Sequence, residues 1–269
     1  MRILITNDDG INAPGLAAAE AIAAALTPDT EPEIWVVAPA VEQSAVGHSV
    51  AYVRPMRVDE LGPRRFAVEG SPADCALVAL TQLMRDTPPD LVLSGVNRGF
   101  NVAEDVVYSG TVAGAREACM QGARAIALSQ AYGPGNLSLA DPFEAAIAYG
   151  PKVIQALLAH GTFRTSAHGP FYNINFPARP SGQVAGIRAA AQGLRPAPSF
   201  KVVPYQAPNR RDYYWLTHAA ETAAEGNAGS ADGTDAKLLS EGYVTATALT
   251  AQMTATEAME VLAHALDEL

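Results

Sequence analysis

Residues 2–6 (Arg-Ile-Leu-Ile-Thr) form a short branched apolar run with no polar alternation, and the run stops at Asn7-Asp8-Asp9-Gly10. A strand that is apolar on both sides must be covered on both sides. That requirement fits a parallel sheet between two layers of helices. The cover follows at once in the sequence. Pro14 suits a first helical turn, and the Ala-rich stretch 15–26 has high helix propensity. A second buried run, Ile34 to Ala38, ends at Pro39. Strand, helix, strand in this order reads as a βαβ unit with a right-handed crossover.

The pattern repeats. Ser71 with Pro72 and Asp74 predicts an N-cap opening a helix from about 72 to 85. Asp90 to Ser94 and Ala125 to Ser129 read as buried strands. Between them, Ser109 or Thr111 can cap a helix running to about Gln121, with Gly122 at its end. Residues 1–130 are therefore expected to form the core of an α/β domain built on one doubly wound, mainly parallel sheet. Residues 131–269 are expected to complete the same domain. Ala131 to Pro142 is a loop, and Asp141-Pro142 with Glu144 starts a helix ending near Gly161. Segments Phe171–Phe176, Val184–Ala189, Tyr213–Thr217 and Tyr243–Leu249 are β-like, which makes the C-terminal part a β-rich extension. Residues 195–208 are Pro-rich and predict a projecting arm or loop, because Pro cannot serve a central strand. A small-residue stretch occupies 219–235, and Thr254 with Glu257 predicts a capping box for a terminal helix.

Charge narrows the function. Eighteen basic and 28 acidic residues leave a net charge of −10, which argues against a protein that grips nucleic-acid duplexes through a clustered basic face. Two cysteines, Cys75 and Cys119, are too few for a disulfide scaffold or a Cys-rich zinc site, and both fall in helical patterns as small core residues. No apolar run reaches the roughly 18 residues of a membrane span. A soluble cytoplasmic enzyme is the expectation, without a membrane partner.

In an open parallel sheet, ligands bind beyond the carboxyl ends of the strands. Three segments place polar residues there: Asn7 to Gly10, Pro39 to Ser49, and Ser94 to Ser109. Asp8 and Asp9 are adjacent, and Gly10 lets the chain turn so that both carboxylates face one site. Without a cation they would repel, and one would take up a proton. Ser44 and Asn97 add neutral oxygens, and the four together form a hard oxygen set suited to Mg²⁺, Mn²⁺ or Ca²⁺. The competing reading is that Asp8 or Asp9 simply caps the following helix. His48 lies close in sequence, but a lone His is more often a surface or core residue than a ligand. Tyr108-Ser109-Gly110-Thr111 opens a helix, whose free N–H groups, hydroxyls and dipole make an anion site, unless it is an ordinary Ser/Thr cap. Just upstream, Gly95, Asn97, Gly99 and Asn101 are too polar and permissive for a core strand. A P-loop, a dinucleotide-binding glycine fingerprint after the first strand and a Gly-x-Ser-x-Gly elbow are all absent.

These segments, with Glu42-Gln43-Ser44, Gly47-His48-Ser49, Gly70-Ser71-Pro72-Ala73-Asp74-Cys75, Ser94 to Asn101 and Tyr108 to Val112, resemble the SurE family of stationary-phase survival nucleotidases. Asn173-Ile174-Asn175-Phe176-Pro177, and Thr234-Asp235 with Glu241 to Val244, look like that family's C-terminal signatures. The resemblance implies a Rossmann-like fold. It implies a 5′-nucleotidase, a phosphoric monoester hydrolase that uses one divalent metal ion to cleave nucleoside 5′- and 3′-monophosphates, and that works as a homodimer or homotetramer. Carried over residue by residue, Asp8, Asp9, Ser44 and Asn97 are the metal ligands. Asn101, Ser109, Gly110 and Thr111 bind the substrate phosphate. Asp8, Asp9, Asn97 and Ser109 are the catalytic group, acting on in-line attack by water. Ser109→Ala or Thr111→Val is then expected to weaken transition-state binding and leave metal affinity nearly intact.

Ala103 departs from the family's usual Gly, Ala40 from Asp and Ala248 from Pro, and Ala103 could alter the loop carrying Asn101. A sensor module without turnover and a phospho-acceptor receiver domain are the rivals. The receiver fits poorly, since Asn97 follows the middle strand and no Lys occurs before Lys152. The terminal helix places Ala255, Met259, Leu262 and Leu266 on one face. The C-terminal third is accordingly expected to build the oligomer rather than the active site.

Overall fold

The computed structural model describes residues 1–163, 169–195, 200–218 and 230–267. In chain order the first half runs β1 (Arg2–Thr6), α1 (Pro14–Ala25), β2 (Glu33–Pro39), β3 (Val58–Gly62), β4 (Arg65–Val68), α2 (Pro72–Val78), β5 (Leu91–Arg98), α3 (Asp105–Tyr108), α4 (Gly110–Met120) and β6 (Ala125–Gln130). The second half adds α5 (Glu144–His160), β7 (Phe171–Phe176), β8 (Gly186–Ala189), β9 (Phe200–Gln206), β10 (Asp212–His218), α6 (Asp235–Ser240), β11 (Tyr243–Leu249) and α7 (Thr256–Asp267).

The chain is an α/β protein with a mostly parallel central sheet of nine strands, ordered β3-β4-β2-β1-β5-β6-β7-β11-β8. The β3–β4 and β7–β11 pairs are antiparallel and the others parallel. Alternate side chains of each central strand serve opposite faces. Ile3, Ile5, Leu93, Ile126 and Leu128 pack with Leu16 and Ile22 of α1 and with Ile154 of α5. Leu4, Val92, Ala125 and Ala127 pack on the other side with Cys75 and Ala76 of α2 and with Ala115 and Ala118 of α4. Both faces are therefore covered, as the unbroken apolar runs require.

Several boundaries differ from the sequence expectation. The helix expected over 72–85 ends as an α-helix at Val78 and continues as a π-helical turn, Ala79–Leu83. Its start matches: Ser71 Oγ accepts from the Asp74 N–H while the Asp74 carboxylate accepts from the Ser71 N–H. β5 runs on through Gly95 and Asn97 to Arg98, although that stretch is too polar for a core strand by composition. Its register against β6 shifts between Ser94 and Asn97, so the tail is an irregular strand end. The edge hairpin β3–β4 is missed from sequence because Val58–Gly62 is largely exposed and carries no apolar alternation.

Within the Pro-rich stretch, expected as a projecting arm or loop, Phe200–Gln206 is a strand of an exposed hairpin. β9 pairs with β10 in a separate two-stranded antiparallel hairpin, with Pro204 opposite Tyr214. Residues 196–199 of that stretch and 219–229 of the small-residue stretch lie outside the described residues. Val184–Ala189 shortens to β8. The terminal helix begins at Thr256, so Ala255 and not Thr254 precedes it, and the expected capping box is displaced. None of the residues of α7 is buried, and Met259, Leu262 and Leu266 stand at 47–57% exposure. No described helix is long and apolar enough to cross a membrane.

Candidate active site

The parallel sheet changes winding direction between β1 and β5, and the crevice beyond their carboxyl ends is where such sheets bind ligands. β1 ends at Thr6, and the buried Asn7 closes the turn by donating from Nδ2 to the Gly10 carbonyl at 2.9 Å. Gly10 has a φ of +100°, which only glycine adopts without strain, and a Cβ there would stand 3.3 Å from the Glu42 nitrogen. The turn delivers Asp8 and Asp9 to the crevice. Neither side chain caps α1: its N-terminal residue is preceded by Ala13 with no side-chain cap, which removes the capping alternative.

Asp8 is 4% exposed, and its Oδ1 accepts a hydrogen bond from Thr111 Oγ1 at 2.6 Å. Gly110 makes this approach possible. A Cβ on Gly110 would fall 2.9 Å from the Asp8 Cβ, so the first turn of α4 lies directly against the carboxylate. Ser109 is the N-cap of α4, its Oγ accepting from the Val112 N–H at 3.0 Å. Thr111 is thus not the cap. Its hydroxyl belongs to Asp8, and the expectation that Thr111→Val spares metal affinity no longer follows. The Ser109–Thr111 turn and Asp8 are one connected unit.

Asp9 is held from the other side, its Oδ2 accepting the Arg98 N–H at 2.9 Å. Burial pushes the Asp8 carboxyl up to about 6; the Thr111 hydrogen bond pulls it back, and the charge of Asp9 raises it further. Asp9 is also raised, first by burial and then by Glu42, against the lowering effect of Arg98. The positive charge at hand, that of Arg98, does not offset the burial of the two carboxylates. Asn97 spends its amide N–H on the Gly99 carbonyl at 3.0 Å, and its Oδ1 has no hydrogen-bond partner among the described residues. Ser44 is exposed and its hydroxyl donates to Glu42 Oε1 at 2.6 Å, while the neighbouring Gln43 N–H donates to the Asp8 carbonyl at 2.7 Å. The Ser44 loop is pinned at Asp8 through its backbone. Beside Asp9 opens a cavity of about 280 Å³ lined by Asn12, Val41, Glu42, Arg98 and Phe143 among others.

Asn101 is buried, and its Nδ2 donates to Ser129 Oγ at 2.8 Å. Its main chain is held from β7: the N–H donates to Asn175 Oδ1 at 2.7 Å, and the carbonyl accepts from Asn173 and Asn175. Two residues on, the Ala103 N–H donates to the Asp235 carboxylate at 3.2 Å. Ala103 sits at φ 52°, the left-handed region where glycine is at ease, which explains why its side chain is out of place there. Sequence reasoning assigned the C-terminal third to assembly and missed that Asp235 reaches this loop. The available signal was the pair of C-terminal signature segments, which hold the buried Asn173, Asn175 and Asp235. His48 is also resolved. Its Nδ1 accepts from Arg116 at 2.9 Å and its Nε2 meets Glu117 Oε2 at 2.6 Å, so both ring nitrogens tie the Ser44 loop to α4.

A family model described as "Survival protein SurE" matches residues 3–198. The chain is 51% identical over 263 residues to the "5′-nucleotidase SurE" of Roseobacter denitrificans, covering 98% of each protein. It is 49% identical over 262 residues to the protein of the same name from Ruegeria pomeroyi, covering 97% of this chain and 98% of that one. The crystal structure of the SurE protein from Aquifex aeolicus superposes with a TM-score of 0.79 at 30% identity, covering 98% of this chain and 99% of that one.

Proposed function

The chain belongs to the SurE family, and from that premise we propose that it is a metal-dependent phosphomonoesterase hydrolysing nucleoside 5′-monophosphates, and 3′-monophosphates as well, to nucleoside and phosphate. The relatives' names support the 5′-nucleotidase activity. The observation that carries the mechanism is the buried Asp8 carboxylate set against the open first turn of α4 and hydrogen-bonded to Thr111.

Asp8, Asp9, Ser44 and Asn97 would hold one divalent cation. Mg²⁺ or Mn²⁺ suits this set, and Ca²⁺ can occupy the same oxygens. The donors present fit it: two adjacent carboxylates whose burial raises their proton affinity, and an amide oxygen without a protein partner among the described residues. When bound, the cation supplies Lewis acidity toward a phosphate oxygen.

The protein's own groups do the rest. At the first turn of α4, the backbone N–H of Gly110 has no helical partner, that of Thr111 is directed at Asp8, and the positive end of the helix dipole faces the same crevice. Ser109, Gly110 and Thr111, with Asn101, orient the phosphate and stabilise the charge that develops on its oxygens as water attacks in line. Thr111 links the two halves, since the hydroxyl that steadies Asp8 sits on the turn that receives the phosphate.

The assembly is a homodimer or homotetramer. Supporting this are the exposed stripe of α7 and the exposed Tyr214, Trp215 and Leu216 of the hairpin, apolar surface that another copy would cover. The test of function is phosphate release from AMP, GMP and their 3′ isomers after exhaustive chelation and after return of Mg²⁺, Mn²⁺ or Ca²⁺. Turnover only in the metal-restored samples supports the reading. Undiminished turnover in chelator rejects metal dependence, and no release from any nucleotide with any metal rejects the enzyme in favour of a binding module.

A further inference from the structure

We propose that Asn173 and Asn175 of β7 are positioning residues for the phosphate subsite, acting by holding the main chain of Asn101. The inference rests on Asn101 contacting substrate phosphate, as proposed above.

On β7, Tyr172, Ile174 and Phe176 serve the core on the side of α1 and α5, and Phe171 serves the core on the side of α2 and α4. By strand periodicity, Asn173 and Asn175 follow Phe171 on that second face, where apolar residues are the rule. Both asparagines are fully buried. Two amides in such places are costly unless hydrogen-bonded; Asn173 Oδ1 has no partner among the described residues, and the side-chain bonds the two do make converge on one residue. Asn175 pairs with Asn101 as a neighbouring strand would: Oδ1 accepts the Asn101 N–H at 2.7 Å, and Nδ2 donates to the Asn101 carbonyl at 3.0 Å. Asn173 Nδ2 donates to the same carbonyl at 2.7 Å. Ser129, the β6 neighbour of Asn175 in register, takes the Asn101 amide hydrogen at 2.8 Å.

Asn101 lies on the connection between β5, which carries Asn97, and α3, which leads to Ser109. That connection has no strand or helix to fix it at Asn101, so its position is set by side chains reaching up from the sheet. Asp235 fixes the Ala103 N–H independently two residues later. The arrangement fixes both the main chain and, through Ser129, the side chain of Asn101, the kind of support that keeps a binding group within tenths of an ångström of its working position.

The experiment compares Asn101→Ala, Asn175→Ala and the double variant. For each, the readouts are competitive inhibition of AMP hydrolysis by inorganic phosphate, the split between KM and kcat, Mn²⁺ affinity by titration of the metal alone, and thermal midpoint. The expected result is a phosphate inhibition constant raised at least tenfold (~1.4 kcal/mol) in each single variant, with Mn²⁺ affinity within about twofold of wild type. In the Asn101→Ala background, Asn175→Ala should add no more than about twofold, because its effect passes through the Asn101 side chain. A purely structural role would lower the thermal midpoint without this non-additivity. Wild-type phosphate inhibition in Asn175→Ala, or full multiplication of the two effects, overturns the positioning role. Wild-type inhibition in Asn101→Ala instead overturns the assignment of Asn101 to phosphate. Should Asn175→Ala fail to fold, Asn173→Ala, which removes only one of the two donors to the Asn101 carbonyl, carries the same comparison.

Discussion

Replacing Asp8 by Asn should make the metal-free protein more stable while abolishing hydrolysis, and the size of the gain follows from the site. Asp8 is 4% exposed. Its carboxyl releases a proton near pH 6 instead of the ordinary 3.8, with burial as the largest cause. At about 1.4 kcal/mol per tenfold in proton affinity, the folded protein holds that proton by about 3 kcal/mol more than the unfolded chain. The sign is fixed by linkage. Because the folded-state value is raised, the stabilisation is complete below about pH 3.8 and is lost as pH rises through about 6, above which the fold carries a buried charge. Asn has no proton to lose and keeps an oxygen for Thr111. The stability gap between Asp8→Asn and wild type should therefore be small near pH 4.5 and widen to at most about 3 kcal/mol by pH 7.5, or roughly 6–12 °C for a chain of this size. The assay is a pair of thermal melts in chelator across that range, with phosphate release followed in parallel. Taking the difference between the two proteins cancels the other shifted groups, such as Asp235, raised by burial, and Glu117, lowered by its partners against burial. A gap that stays flat from pH 4.5 to 7.5, or a variant less stable at every pH, would refute the claim that Asp8 is a destabilising buried charge awaiting a cation.

Thr111→Val removes a buried hydrogen bond to a carboxylate, worth about 1.5–3 kcal/mol, so Mn²⁺ affinity should fall roughly 10–100-fold along with kcat/KM; a metal titration indistinguishable from wild type would show that Thr111 acts on phosphate alone. Ser109→Ala loses the α4 cap at about 1 kcal/mol of stability, and calorimetry should find that loss even where substrate is absent. Ala103→Gly trades a buried methyl and added unfolded-state freedom against relief of left-handed strain at φ 52°, so denaturant unfolding should place it within about 1 kcal/mol of wild type. A loss above about 2 kcal/mol would mean the backbone there is not strained. Truncation near residue 250 removes a helix with no buried residue, so light scattering should show a lower oligomeric mass from a chain that keeps its cooperative melt; an unchanged mass would show that assembly does not need this helix.

The apolar runs at β1, β2, β5 and β6 carry the architecture by themselves. Strands without a polar face admit only a sheet covered on both sides, and Pro, Gly and Ser at the segment ends set where the helices start. The crevice was legible for the same reason, since polar residues at the carboxyl ends of such strands have nowhere else to converge. Asp8, Asp9, Asn97 and the Ser109–Thr111 turn could all be named from their positions along the chain. What the sequence could not contain was which groups spend their hydrogen bonds on one another. Ser109 and Thr111 look interchangeable as caps, yet only the packing of Gly110 against Asp8 turns the Thr111 hydroxyl onto the carboxylate and leaves Ser109 to cap. Asn173 and Asn175 lie more than 70 residues from Asn101, and only the placement of β7 beyond β6 brings them beneath it. Pairing across such distances depends on sheet order and register, which arise from the packing of the whole chain and leave no mark in local composition or periodicity.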